Sequence, residues 1–513
     1  MQVLKIANNT RTRPVLLHAG IPLIVTAVLW ATSLYEVTLP QVIAAFFLSW
    51  IPWAAYREWV RGARETIPLF ALIGAVYWLA YAVPLFWLKH SISLVTGKHQ
   101  ISENAITQSL YLVVFGLGAL KIGIAAAGRL RLLKSYKLDI HPNPGRWHYL
   151  RLVLLAAALL KIAVPFDMLG GGGRQFLAIV ETIVPSIAFV ILLRYYLRGK
   201  AIPIDKVLLA GYAGMALVAG ISSGWLGSFV GVAIMATAVY VYERRKFPLA
   251  AIMIGIPIVL FLQPGKEKFR QQYWRAGASE SYVERFNFWM DSSWSAWGKP
   301  LLNADEVQAR NLASETLGRL SLLQQTANVI ESTPERVPYQ NGRLYSYMFV
   351  TFVPRLFWPD KPSVNDSNRW YQVAYRLTAR ENLNGVSIAV GYLPESYINF
   401  GWVGPPALMF CLGIVLGLFD RVFLRPSSGL LLNSIGVSLL PGLLIVDAQL
   451  AQYIAGVGQQ VTVALIALAP MFDLRRNELH RGTRSFFTPA PNYKNGRSVL
   501  TGNRSQAGLL RRP

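Results

Sequence analysis

Cysteine is all but missing: Cys411 is alone among 513 residues, and it sits inside an apolar run. That excludes a disulfide or a cysteine-built metal site within one chain. Charge is scarce as well. Only 15% of residues are Asp, Glu, Lys or Arg, where a soluble domain carries about 25%. The six histidines show no metal-ligand spacing, and no carboxylate cluster suited to a metal stands out. A phosphate-binding Walker sequence and a serine nucleophile elbow are both missing. No internal repeat is visible, although secondary transporters are commonly built from two.

What the chain has instead is length of apolar run. Hydrophobic residues make up 53% of it and mean hydropathy is +0.37. Apolar spans fall near 14–31, 38–56, 67–88, 106–127, 148–165, 175–197, 203–222, 225–242, 247–263, 401–419, 429–447 and 450–472. Runs of about 20 residues are what a helix needs to cross a bilayer. The expected fold is all-α: a polytopic membrane protein of about 12 transmembrane helices with a mainly helical extracytoplasmic cap. The first run follows Arg11 and Arg13 and shows no small-residue cleavage site, so it reads as a membrane helix rather than a removed signal.

Net charge is +24. In a soluble chain this would suggest nucleic acid, but in a membrane chain Lys and Arg mark the cytoplasmic loops. With the N-terminus cytoplasmic, the inside connectors hold 21 basic residues and the short outside ones hold 3, namely Lys89, Lys98 and Arg174. The count therefore predicts both termini inside, no nucleic-acid partner, and one long connector, 264–387, outside. That connector has nearly balanced charge, 15 basic against 12 acidic residues, and many aromatics. It should fold as a small helical cap, with helix-forming composition over 304–332 and a short apolar helix over 345–353 that ends at Pro354. The expected organisation is 1–263 for helices one to nine, 264–400 for the cap and candidate active site, 401–472 for the last three helices and 473–513 for a basic cytoplasmic tail. This tail, with nine Lys and Arg among Pro, Gly, Ser and Asn, reads as disordered and either inert or in touch with anionic lipid.

A polar and aromatic island runs from Pro338 to Gly404. Pro405 and Pro406 mark a helix start, so 388–400 should lie at the outer membrane surface with Glu395, Tyr397 and Asn399 near a positive helix end. A carboxylate there can orient a cation or act as a base. The plain alternative is an interfacial anchor, since Tyr and Trp favour that depth. Arginine is the second theme: Arg270, Arg275, Arg310, Arg319, Arg343 and Arg355, with Lys361, all fall in the outer loop. Guanidinium forks grip phosphate through paired charge-assisted bonds, or they pair with nearby carboxylates and hold the loop together. Within the spans, Lys121 and Lys161 sit near the ends where lysine can snorkel, and Glu181 lies deeper. The run Gly170–Gly173 reads as a turn between two spans.

The pattern Gly342-x-x-Tyr345, Pro354-Arg355-x-x-Trp358-Pro359-Asp360-Lys361-Pro362 and Glu395-x-Tyr397-x-Asn399-Phe400-Gly401-x-x-Gly404 resembles the O-antigen polymerase (Wzy-type) and related oligosaccharide repeat-unit polymerases. It covers roughly 310–420 by motif; Pro394 stands where a Gly usually precedes the Glu. The resemblance implies a glycosyltransferase of the bacterial inner membrane that needs no metal or cofactor. It would take a glycan from a polyprenyl pyrophosphate carrier at the outer leaflet and pass it to another lipid-linked repeat unit. Implied partners are that lipid-linked oligosaccharide, membrane lipid, and polysaccharide-assembly proteins such as a chain-length regulator. Glu395 is the first choice of base and Asp360 the second. Arg275, Arg319, Arg343, Tyr345, Arg355, Lys361, Tyr397 and Asn399 are the candidates for holding pyrophosphate and glycan. Competing readings are an O-antigen ligase, a polysaccharide transporter or flippase, and a structural scaffold.

Overall fold

A computed structural model describes residues 12–471, apart from 63–65, 130–143, 164–170, 225–226, 274–280, 303–311, 313, 315, 319, 352–357, 359 and 384–387. All of these belong to the unit Met1–Phe472.

Each of the twelve apolar stretches carries a helix. They are α1 (Thr12–Ala31), α2 (Leu39–Arg61), α3 (Leu69–Tyr77) continued through a π-helical turn into α4 (Val83–Trp87), α5 (Glu103–Arg129), α6 (Pro144–Ala163), α7 (Gly171–Leu197), α8 (Pro203–Ser223), α9 (Gly227–Arg244) and α10 (Leu249–Leu262). The long connector adds α11 (Gly265–Tyr273), α12 (Tyr282–Leu302), α13 (Leu323–Ser332), α14 (Ser346–Thr351) and α15 (Asp366–Ala374). The chain then forms α16 (Tyr392–Phe400), α17 (Gly404–Phe419), α18 (Gly429–Leu443) and α19 (Leu450–Leu468). Among the described residues, seven helical stretches are long and apolar enough to cross a membrane: Leu39–Arg61, Leu69–Trp87, Glu103–Arg129, Ile179–Leu197, Pro203–Ile221, Tyr392–Leu424 and Leu450–Met471. The chain is thus a mainly helical protein compatible with a multi-pass membrane protein, and the connector is mainly helical too.

Helix ends follow local chemistry. Pro40 occupies the first turn of α2, where its missing N–H costs nothing, and the Thr38 N–H donates to Gln41 Oε1 at 3.0 Å. Pro203 opens α8 in the same way, and Asp205 accepts the Ile202 N–H at 3.1 Å. One expectation needs correction. The glycines 171–173 form the first turn of α7 rather than a connecting turn, because three residues without side chains still propagate backbone hydrogen bonds once the apolar run behind them is packed. Strand is confined, among the described residues, to Ser91–Leu94 (β1) and Gly97–Gln100 (β2), which make an antiparallel hairpin. It is clipped to α13 by His99 Nε2 and Glu331 Oε2 at 2.9 Å.

Helices α5 and α17 pack backbone against backbone. A Cβ on Gly123 would lie 2.1 Å from the Phe410 carbonyl oxygen, and one on Gly413 would lie 2.3 Å from that of Leu120. With little hydrophobic drive between helices in lipid, packing of this kind, backbone on backbone, is what associates them.

Several charges inside the bundle are paired. Arg194, 5% exposed, donates from Nε to Glu243 Oε1 at 2.7 Å, and Arg198 donates to the other oxygen at 2.8 Å. The Arg194 guanidinium also lies 4.6 Å from the centre of the Tyr242 ring. Arg151 holds Asp205 at 2.7 Å. Removing one partner of a buried pair leaves an uncompensated charge. We expect Arg194→Ala to lower stability by about 3 kcal/mol, read as thermal unfolding in detergent, while Arg198→Ala, at an exposed partner, changes it by under about 1 kcal/mol. Equal effects would mean that burial does not govern this cluster.

Candidate functional site

The polar island folds around α16. Its residues Tyr392 to Asn399 are all buried, so this short helix has no free face. It packs against α13, the first turn of α19 and the single 3₁₀ turn Arg343–Tyr345. Gly401 ends it with φ +60°, a conformation that L side chains rarely adopt, and a Cβ there would stand 3.0 Å from the Tyr339 hydroxyl. The chain then turns into α17, where Pro405 sits in the first turn as the sequence suggested.

Backbone polar groups at the end of α16 are taken up by residues 340–342. The Gln340 and Asn341 N–H groups donate to the carbonyls of Ile398 and Asn399, both at 3.0 Å. The Asn399 side chain completes the seam: its Oδ1 accepts the Gly342 N–H at 3.0 Å and its Nδ2 donates to the Glu395 carbonyl at 2.9 Å. Both polar ends of Asn399 are thus engaged within the chain.

Glu395 is fully buried. Its Oε2 accepts the N–H of Leu450 at 2.7 Å, the first residue of α19, so the carboxylate sits at that helix's positive end. Its Oε1 has no hydrogen-bond partner among the described residues. Beside it is Tyr345, whose hydroxyl is buried, approaches Ser396, and makes no well-formed hydrogen bond. Burial first, and then the Glu395 carboxyl, push that phenol well above its usual range, so Tyr345 remains a donor at any physiological pH. Its ring packs on Phe400 with centroids 5.9 Å apart.

Other orphaned polar atoms gather in the elements around α16. Gln449 Nε2, next to Leu450, is buried without a partner among the described residues, as are the Tyr371 hydroxyl on α15 and Asn328 Nδ2 on α13. Gln449 is itself tied to α15, its Oε1 accepting from the Ser367 hydroxyl. Buried polar groups are nearly always hydrogen-bonded, so several left open around one helix call for a reason. They include donors (Tyr345, Tyr371, Gln449, Asn328) and acceptors (Glu395 and, on α13, Gln325 Oε1).

The remaining candidates are scattered. Tyr397 is buried, its ring 6.3 Å from Tyr339 and 6.0 Å from Trp402. Arg343 is exposed on its turn. Lys361 is half-buried, with Nζ donating to the Val350 carbonyl at 3.2 Å. Asp360 is exposed, and no interaction joins it to Glu395 among the described residues. Arg275, Arg319 and Arg355 lie outside the described residues. The structure therefore brings together Glu395, Tyr345, Tyr397 and Asn399. It adds Gln449, Tyr371 and Asn328, which sequence reasoning passed over. The only hint there was polar side chains in otherwise apolar surroundings, such as Gln449 just ahead of the last span.

No curated protein and no solved structure matches the chain. One family model does, over residues 79–421, a stretch that takes in the whole connector, α16 and α17. The chain accordingly belongs to the family described as Domain of unknown function (DUF8712).

Proposed function

We propose that this protein polymerises polyprenyl pyrophosphate-linked oligosaccharide repeat units at the outer face of a bacterial inner membrane, by metal-independent glycosyl transfer. The observation that carries the proposal is the Glu395 carboxyl: one oxygen is fixed by the Leu450 N–H, while the other is buried and has no hydrogen-bond partner among the described residues. A fixed carboxylate with one open oxygen is built to accept a proton. The acceptor sugar hydroxyl needs a base as it attacks the anomeric carbon, and the carrier pyrophosphate leaves with the bonding pair. The outer-loop cations, Arg343 and Lys361 with Arg275, Arg319 and Arg355, would neutralise the charge that develops on that leaving group. In this reading about twelve helices cross the membrane, both termini are cytoplasmic and the connector faces outward, as the basic-residue count of 21 to 3 supports.

The lipid-linked glycan pool of a deletion strain tests the reaction class. Single repeat units should accumulate on the carrier at the outer leaflet, with long polymer lost. Units trapped on the inner leaflet would mean a flippase instead. Full-length polymer that stays on the carrier would mean a ligase.

A further inference from the structure

At the opposite end of α5 and α17 from α16 there is a second polar site, unconnected with the proposed reaction. A cavity of about 710 Å³ opens where the end of α2, the start of α3, α5 and the end of α17 converge. Its wall includes Glu58, Trp59, Phe70, Lys121, Asp420 and Arg425. Asp420 begins a π-helical turn, Asp420–Leu424, an irregularity that often marks functional positions. Lys121 pairs with Glu58 and stands 5.3 Å from the centre of the Phe70 ring. Arg425 Nε lies 3.7 Å from Asp420 Oδ2.

Three features fix the kind of ligand. First, the four charges sum to zero, so the wall does not select an anion. Second, both cations are accessible, with the Lys121 and Arg425 side chains 43% and 46% exposed and Asp420 half-buried beside Arg425. Exposed pairs contribute little to stability, about 0–1 kcal/mol, so trading a partner for a ligand charge is cheap. Third, the site is amphipathic and terminal. Leu69, Ile124 and Leu416 form its apolar side, and Arg61 and Arg129 close the last turns of α2 and α5 at the same end. Basic residues at helix ends are the usual setting of a lipid headgroup.

We propose that this cavity holds the headgroup of a zwitterionic phospholipid with a primary amine, its phosphate on Lys121 and Arg425 and its ammonium on Glu58 and Asp420. A primary ammonium donates up to three hydrogen bonds and can satisfy two carboxylates. A quaternary ammonium has none to give.

The test is native mass spectrometry of the full chain titrated with phosphatidylethanolamine, phosphatidylglycerol and phosphatidylcholine. Phosphatidylethanolamine should be retained about tenfold better than either, roughly 1.4 kcal/mol. The double variant Glu58→Gln with Asp420→Asn should erase that preference while still holding phosphatidylglycerol. Ala55→Trp leaves all four charges in place and fills the cavity, which Ala55 also lines; it should lose all three lipids while eluting as one sharp peak. Equal retention of the three lipids by the parent overturns the proposal, and so does a preference that survives either variant. Glycerophosphoethanolamine binding as tightly as the whole lipid would also overturn it, since the site would then belong to a free headgroup.

Discussion

On the proposed function, Glu395→Gln should slow polymerisation by about 10²–10⁴-fold, the usual cost of losing a positioned base, and leave the fold nearly intact. Geometry separates these two effects. Glutamine keeps a carbonyl oxygen that can still accept the Leu450 N–H, now made at 2.7 Å. What disappears is the capacity to take a proton at the open position. Glu395→Ala loses both, and with the α19 contact gone it should cost a further ~1 kcal/mol of stability, as loss of a helix N-terminal acceptor does. The assay is a reconstituted reaction with lipid-linked repeat units, run on folded variants across pH. The glutamine variant should show no dependence on the carboxyl's ionisation. If it matches the parent in rate and in pH profile, Glu395 serves only to secure α19, and Asp360→Asn is examined next.

The second large effect is on folding. Gly123→Ala should deplete folded protein by an order of magnitude or more, because its new methyl would occupy the 2.1 Å beside the Phe410 carbonyl. The obstacle is backbone on the neighbouring helix, which cannot rotate away as a side chain can. Overpacking of ordinary side chains costs about 1–3 kcal/mol, and this site should reach the upper end. Gly413→Ala should behave likewise, facing the Leu120 carbonyl at 2.3 Å. Gly118, on the same helix, has nothing within 4 Å of an added Cβ, so Gly118→Ala is the control and should be silent or slightly stabilising. Fluorescence-detected gel filtration of detergent extracts reads all three. A folded, monodisperse Gly123→Ala protein would show that α5 and α17 separate without loss.

The helices were legible because apolar runs announce themselves, and Pro40, Pro203 and Pro405 mark where three of them begin. The break between α16 and α17 was also readable, since the apolar stretch from Ile388 to Leu418 is too long for one span and carries Gly401 and the two prolines in its middle. The hairpin was not: Ser91–Gln100 is short and lacks a strong alternation, and it is held by His99 and Glu331, more than two hundred residues apart. Within the candidate site, the motif drew attention to Glu395 and Asn399, but their partners came only with the fold. Leu450 offers a backbone N–H, a group every residue but proline has, so no sequence pattern could single it out. The pairing of Arg194 and Arg198 with one carboxylate, Glu243, likewise joins helices whose charges look like ordinary loop markers when read along the chain.

The seam that ties residues 340–342 and Leu450 to α16 also has a kinetic face. The amides of Gln340, Asn341, Gly342 and Leu450 all donate to acceptors on one buried helix, at 2.7–3.0 Å. None of them can exchange its hydrogen for deuterium unless α16 moves away from its neighbours. They should therefore label late and together, as one cooperative unit rather than as fraying loop positions. Slow common exchange at 340–342 would report how rarely this part of the chain opens.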